Sequence, residues 1–413
     1  MSPLRIYLDH NATTPLLPSV WTELQAHYGE LMGNASSIHW AGRKAKEWLR
    51  RSRQAVAGAL SASPLEIVWT SGASEANSLL LQNLVRHLSS RSGRYRVISS
   101  SIEHPSVSET LAHLAQKDLI EWVQIPVSRE GEWDWDRYRA ALGPQVLLVS
   151  VMAANNETGL VLPLNDIAVM AKQAGALVHS DITQAFLKLP LSLEAIDYAT
   201  FSGHKVHAMK GVGVLYIRRG SPFYPAIFGG PQERFRRAGT ENVWAIASLG
   251  LAVEKLSTDL AAWRSHLAEL RHDFESRLLQ ELPEVIVTHS ASPRLPNTSH
   301  IRISGVDGES LLMKMDIDGV ALSAGSACSS GRYEPSPGLL SMGFHPQEIE
   351  AALRVSFGYT NTREEVMRAL EILKKNVLHL RGCRKSAPRD LGNTRGERAE
   401  SLTPEPASSV MNK

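Results

Sequence analysis

Short apolar runs alternate with amphipathic stretches over residues 19–250. The runs at 95–100, 146–151, 176–180, 198–202 and 212–217 are rich in β-branched residues and apolar on both faces. That pattern predicts buried strands of a largely parallel sheet, with helices such as 164–174 between them. Strands alternating with helices predict a layered α/β architecture. Leu256, Leu260, Trp263, Leu267, Leu270, Phe274 and Leu278 then recur at steps of four and three. They predict one face of a helix longer than about 20 residues, connecting to a second unit. In that unit 285–288, 300–303 and 320–323 read as strands, and 346–353 and 362–380 as helices, which suggests a small α+β domain. From Arg381 the pattern stops: the remainder has few large apolar residues, many charges and three prolines. It is expected to be disordered, because it has little apolar surface to offset the entropy of ordering. The expected organisation is a large domain over 15–255, a small domain from 1–14 and 256–380, and a tail over 381–413.

Composition narrows the class without choosing a function. The chain has 413 residues, 43% of them hydrophobic and 21% charged, as a soluble globular protein does. Its 44 Lys and Arg against 42 Asp and Glu leave +2, which gives no reason to expect nucleic acid or an anionic membrane as partner. No run approaches the length of a transmembrane helix, and two cysteines, Cys328 and Cys383, make no disulfide framework. The expected location is cytoplasmic, and no metal is called for.

In open α/β sheets ligands bind beyond the carboxyl ends of the strands. The residues there are Glu103-His104-Pro105 after the first of the runs, Asn155-Asn156-Glu157-Thr158-Gly159 after the second, Asp181-Ile182-Thr183-Gln184 after the third and Gly203-His204-Lys205 after the fourth. Any one of these could be a cap or a turn; four together point to a shared crevice. Upstream, the strand-like Ile67-Val68-Trp69 leads through Thr70-Ser71-Gly72-Ala73-Ser74 into a helix, a geometry that offers N–H groups to a phosphate but serves equally as an ordinary turn with a serine cap. Lys205 stands beside an apolar, glycine-rich run, where a charge is costly. It is either paired or an imine-forming amine. With Asp181 available to a pyridinium nitrogen, pyridoxal phosphate accounts for all three features. Cys328 lies among small residues, Ser323-Ala324-Gly325-Ser326-Ala327-Cys328-Ser329-Ser330-Gly331, which suggests a loop thiol and not core packing.

These residues resemble the pyridoxal-phosphate-dependent cysteine desulfurases of the class V aminotransferase group. The resemblance spans most of residues 5–380. It rests on Ala12-Thr13-Thr14-Pro15, Gly33-Asn34-Ala35-Ser36-Ser37, Thr70-Ser71-Gly72-Ala73, Glu103-His104-Pro105, Asn155-Asn156-Glu157-Thr158-Gly159 and Ser202-Gly203-His204-Lys205. Arg237-Ala238-Gly239-Thr240, Gly325-Ser326-Ala327-Cys328 and Leu353-Arg354-Val355-Ser356 complete it. The segment around Cys328 is similar to the longer-loop group associated with iron–sulfur assembly and tRNA thiolation. The resemblance implies a fold-type I enzyme with a mostly parallel seven-stranded sheet and a small α+β domain, acting as a homodimer.

It also implies residue roles. Lys205 would carry the cofactor and later move a proton, with His104 stacked on the ring and assisting. Asp181 would pair with the ring nitrogen and Gln184 with the phenolic oxygen. Ala73, Ser74, Ser202 and His204 would hold the phosphate, joined by Thr240 of the partner subunit. Arg354 would bind the substrate carboxylate with support from Asn155 and Asn34, and Asn155 would also face the cofactor. Cys328 would take sulfur from L-cysteine, leaving L-alanine, and pass it to an acceptor protein. Three places depart from the family pattern: His10-Asn11 in the opening, Met209 where proline is usual, and Ser336-Pro337-Gly338 in the cysteine loop. The alternatives are a class V relative acting on selenocysteine or a sulfinate, and a non-catalytic scaffold. The first would not need Cys328, so the cysteine loop argues against it; Lys205, Asp181, His104 and Cys328 together argue against the second.

Overall fold

The computed structural model describes residues 5–93, 95–324 and 335–386. Among the described residues thirteen strands run in chain order. They are β1 Ile6–Tyr7, β2 Ile67–Thr70, β3 Arg96–Ser100, β4 Glu121–Ile125, β5 Val146–Ser150, β6 Leu177–Asp181 and β7 Tyr198–Ser202. After these come β8 Gly213–Ile217, β9 Val285–Val287, β10 Thr298–Ile303, β11 Val320–Ala321, β12 Ser323–Ala324 and β13 Ala352–Ser356. Seven form the main sheet in the order β2-β8-β7-β6-β5-β3-β4. Only β8 runs against the rest, so the sheet is mostly parallel.

β2, β5, β7 and β8 are buried along their whole length because both faces of the sheet are covered. Ile98, Val149, Phe201 and Val214 pack into one apolar cluster, while their chain neighbours Val97, Leu148 and Leu215 pack into another. Helices Ala73–Ser92 and Pro105–Gln116 close the second face with Leu80, Leu84, Leu111 and Leu114. β4, which the apolar pattern does not reveal, is one of the two edge strands; Glu121 and Gln124 leave it only partly buried. A polar edge strand is what blunts unwanted pairing, and it removes the apolar run that would announce the strand.

A second sheet has the order β12-β13-β10-β9, all neighbours antiparallel. The N-terminal strand β1 pairs with β11, and Asp9 bridges Ser356 of β13. The start of the chain thus joins elements more than 300 residues away.

Three expectations from the pattern need correction. The amphipathic run 256–278 is broken: Leu256 belongs to helix Val243–Ser257, and a new helix spans Leu260–Glu281. Asp259 caps it by accepting from the Ala262 N–H, a signal overridden in the sequence by the apolar spacing around it. The helix expected over 346–353 ends at Glu350, and Leu353-Arg354-Val355 is buried β13. The expected disorder from Arg381 is also too early. The last helix runs Arg363–Ser386, and the Arg381 guanidinium donates two hydrogen bonds to the Ser304 carbonyl, so polar contacts help hold this turn. Cys383 lies on that helix, its sulfur 3.7 Å from His379 Nε2. The remainder of the expected tail lies outside the described residues.

Candidate active site

The carboxyl ends of β2, β3, β5, β6 and β7 share one edge of the main sheet. After β2 the chain turns at Gly72 and opens helix Ala73–Ser92. The Ala73 N–H donates to Ser202 Oγ at 2.7 Å, tying the helix start to the end of β7. Gly213 makes the approach possible: a Cβ there would lie 2.4 Å from Gly72 Cα. First-turn N–H groups of a helix have no acceptor within it, and the helix dipole favours an anion at this end. Glu75 secures the turn outside, accepting from Ser71 N and holding both arms of the Arg237 guanidinium.

Asp181 ends β6. Its Oδ1 accepts from the Thr183 N–H at 2.9 Å and its Oδ2 from Asn77 Nδ2 at 2.8 Å. Asn77 comes from the buried face of helix Ala73–Ser92, and its Oδ1 accepts from the Thr200 hydroxyl. Asn77 also donates to Ser106 Oγ, which donates in turn to His104 Nδ1 at 2.8 Å. His104 Nδ1 accepts from the Ser106 N–H as well, capping helix Pro105–Gln116. With Nδ1 an acceptor, the ring proton sits on Nε2. Burial holds this imidazole below its ordinary pKa, with Asp181 opposing and Lys205 adding to the effect.

Lys205 follows β7 in a single turn of 3-10 helix. Its Nζ donates to the carbonyls of Asn11 and Ala12, both at 2.6 Å. Burial first, and then the Arg354 charge, lower the amine to about 8. Roughly one amine in ten is then neutral at pH 7, far more than at the ordinary lysine value. Two residues on, His207 adopts φ of +61°, held by the Thr14 hydroxyl and the Pro15 carbonyl. His204, lowered by burial to about 4, is neutral and hydrogen-bonds Thr13 Oγ1. Arg354, on β13, donates to Asp9 Oδ1 at 2.7 Å, Ser323 Oγ at 2.9 Å and the Asn156 carbonyl at 3.1 Å. Its Nε is buried with no acceptor among the described residues.

A cavity of about 490 Å³ brings Ala73, Ser74, His104, Asp181, Gln184, Ser202, His204, Lys205 and Arg354 together. Asn156 and Glu157 line it from the loop after β5, but Asn155 does not. The Asn155 side chain is spent inside that loop, accepting from the N–H groups of Glu157 and Thr158 and donating to the Ile102 carbonyl. Asn34 is exposed and closes its own turn by accepting from Ser36 N. Thr240 lines a separate cavity with Ser71, Glu233 and Arg237. Cys328 lies outside the described residues.

Sequence reasoning missed Asn77, Asn11 and Asp9 as site residues. A detectable signal existed only for Asn77, a polar residue amid Ala73, Ala76, Leu80 and Leu81 on one helical face.

Glu103 sits beside His104 and is buried; its Oε1 accepts from Met152 N and from the Ser100 hydroxyl. Burial raises its carboxyl to about 8, opposed by those bonds and reinforced by Asp181. Between the ordinary carboxylate pKa and about 8 the native state therefore binds a proton that the unfolded state does not. This contribution to stability is complete below the unfolded value and is lost as pH rises through about 8, by at most ~1.4 kcal/mol per pH unit. Glu103→Gln keeps an acceptor and cannot ionise. Its melting temperature is expected to fall less than wild type between pH 6 and 9; parallel melting curves would disprove the assignment.

Comparison with known proteins agrees with this architecture. The model of the aminotransferase class-V family matches residues 6–369. The chain belongs to that family. It is 38% identical over 379 residues to a cysteine desulfurase of Gluconacetobacter diazotrophicus, covering 91% of this chain and 94% of that one. Among solved structures, a NifS-like protein superposes with a TM-score of 0.83 at 33% identity, covering 91% of this chain and all of the other. A NifS-like protein from Rickettsia africae gives 0.80 at 30%, covering 90% and 99%.

Proposed function

We propose that the protein is a cysteine desulfurase that uses pyridoxal phosphate to convert L-cysteine to L-alanine, taking the sulfur as a persulfide on Cys328. The observation that carries this is the meeting of Lys205, Asp181 and the N-terminus of helix Ala73–Ser92 in one cavity. An amine of lowered pKa, a fixed carboxylate and an anion-binding helix end match the aldehyde, ring nitrogen and phosphate of that cofactor, and the donor set fits it. When bound, pyridoxal phosphate supplies a carbonyl for the amino group and a protonated ring that takes up electrons from the substrate's α-carbon.

The chain's own residues supply the rest. Asp181, held by Asn77 and Thr183, would keep the ring nitrogen protonated. Lys205 Nζ would carry the proton that leaves and returns. Arg354 would bind the substrate carboxylate, with Asp9 and Ser323 fixing its orientation. The Cys328 thiolate would attack the substrate sulfur; the carbon–sulfur bond breaks, and the sulfur stays on the protein. It would then pass to a thiol of an acceptor protein. Thr240 lies away from its own chain's main cavity, and that placement supports the reading in which it serves the site of a second copy in a homodimer.

Replacing Asp181 with alanine is expected to leave the fold intact and slow alanine formation by about tenfold or more, since each unit lost from the ring nitrogen's pKa is ~1.4 kcal/mol. Steady-state assays on cofactor-loaded protein test this. An Asp181→Ala variant turning over at the wild-type rate would show that the ring does not lie as proposed.

A further inference from the structure

Lys188 is an expensive residue with no part in the scheme above. It is 5% exposed, within the turns that follow β6. Its Nζ donates to Gln184 Oε1 at 2.9 Å. A buried ammonium is costly, and for stability alone an apolar side chain would serve better. Burial, with Lys205 and Arg354, lowers the amine to about 7, and the neighbouring His10 and His207 also feel its charge. Those four neighbours are all cationic or basic, so none of them compensates the charge.

Gln184 lines the same cavity as Asp181 and Lys205. An amide has an oxygen end and a nitrogen end of nearly equal shape. Protonated, the Lys188 amine offers three donors and no acceptor and so admits only the oxygen end; neutral, it still donates to Gln184 Oε1 while the Asn11 carbonyl takes the amide nitrogen. The nitrogen end is thereby turned away from Lys188, and one of its protons goes to the Asn11 carbonyl at 3.0 Å. That carbonyl is shared with Lys205 Nζ, so it does not hold Gln184 alone. A cation on the amide oxygen also makes the remaining N–H a better donor.

We infer that Lys188 is a positioning residue that fixes the Gln184 amide so that an N–H, and not the carbonyl, faces the cavity. On the reading given above, the group that receives this N–H is the phenolic oxygen of pyridoxal phosphate. A donor there favours the ionised phenol and lowers the pH at which the bound cofactor's visible absorbance titrates.

The test is a spectroscopic pH titration of the cofactor-loaded protein without substrate. Gln184→Ala is expected to raise the midpoint by about one unit, the size of a lost hydrogen bond to a charged group. Lys188→Met should raise it similarly, and the Lys188→Met/Gln184→Ala double variant no further than Gln184→Ala alone. Lys188→Gln loses the charge but keeps an N–H donor, and should return the midpoint toward wild type. It decides the matter by itself if Lys188→Met does not fold. A wild-type midpoint in Lys188→Met alongside a shifted one in Gln184→Ala would overturn the inference. Additive shifts in the double variant would overturn it too, since Lys188 would then act directly by its charge. A Lys188→Gln midpoint as high as that of Gln184→Ala would do the same. If the wild-type protein took up no cofactor at all, it is the underlying assignment of pyridoxal phosphate that would fail.

Discussion

Lys205→Ala is expected to abolish the yellow colour that a covalently attached cofactor would give and to lower turnover by about 10³-fold or more. The expectation follows from what surrounds the amine. Lys205 is the lysine that lines the cavity among the described residues, and the carbonyls of Asn11 and Ala12 aim it there. Burial and Arg354 hold its pKa near 8, which makes a neutral, nucleophilic amine available. Lys188, though close, is turned onto Gln184 and offers no substitute. Alanine removes a charge that burial already disfavours, so the variant should fold, and its melting temperature should stay near wild type. Adding a small primary amine should restore a little activity, because the missing function is a proton carrier at one point. Sustained turnover without added amine would mean that another group performs this chemistry.

Cys328→Ser should divide the reaction into its two halves. On the proposed reading, binding of cofactor and of the amino acid would depend on Lys205, Asp181 and Arg354, none of which changes. Cleavage of the carbon–sulfur bond needs a nucleophile that accepts sulfur, and a thiolate does this where a hydroxyl does not. The variant is therefore expected to load cofactor normally, to change its absorbance on addition of L-cysteine, and to lose alanine formation by about 10³-fold or more, the loss of an essential nucleophile. Cys383→Ser should retain full activity; that thiol lies on the last helix beside His379, in a segment with no role in the cavity. Loss of activity in Cys383→Ser with normal turnover in Cys328→Ser would place the nucleophile on the wrong residue.

Much of the site could be read from the chain because parallel α/β sheets put their ligand groups directly after strands. His104, Asp181, His204 and Lys205 each follow a run of residues that is apolar on both faces, and the sheet carries them to one edge. Other residues left no such trace. Asn11 and Asp9 come to the site from the N-terminal segment, brought there by pairing with Thr298, Ser356 and Arg354, 287 to 345 residues away. Local pattern cannot register contacts of that span. The Leu353-Arg354-Val355-Ser356 motif marks Arg354, but the chain from Pro346 predicts a helix through Leu353; the helix that Pro346 begins stops at Glu350, before β13. Asn155 illustrates the converse. Its motif marks the loop after β5, but in the structure its amide braces that loop and the neighbouring Asn156 and Glu157 face the cavity.

The central claim is that sulfur leaves L-cysteine and stays on this protein. Cofactor-loaded wild-type protein, mixed with one equivalent of L-cysteine and quenched without reductant, decides it by alanine analysis and non-reducing peptide mass spectrometry. The account predicts alanine in an amount equal to protein-bound sulfur, with the peptide containing Cys328 heavier by one sulfur atom. Cysteine consumed with no alanine formed, or alanine formed with no added sulfur on that peptide, would contradict it.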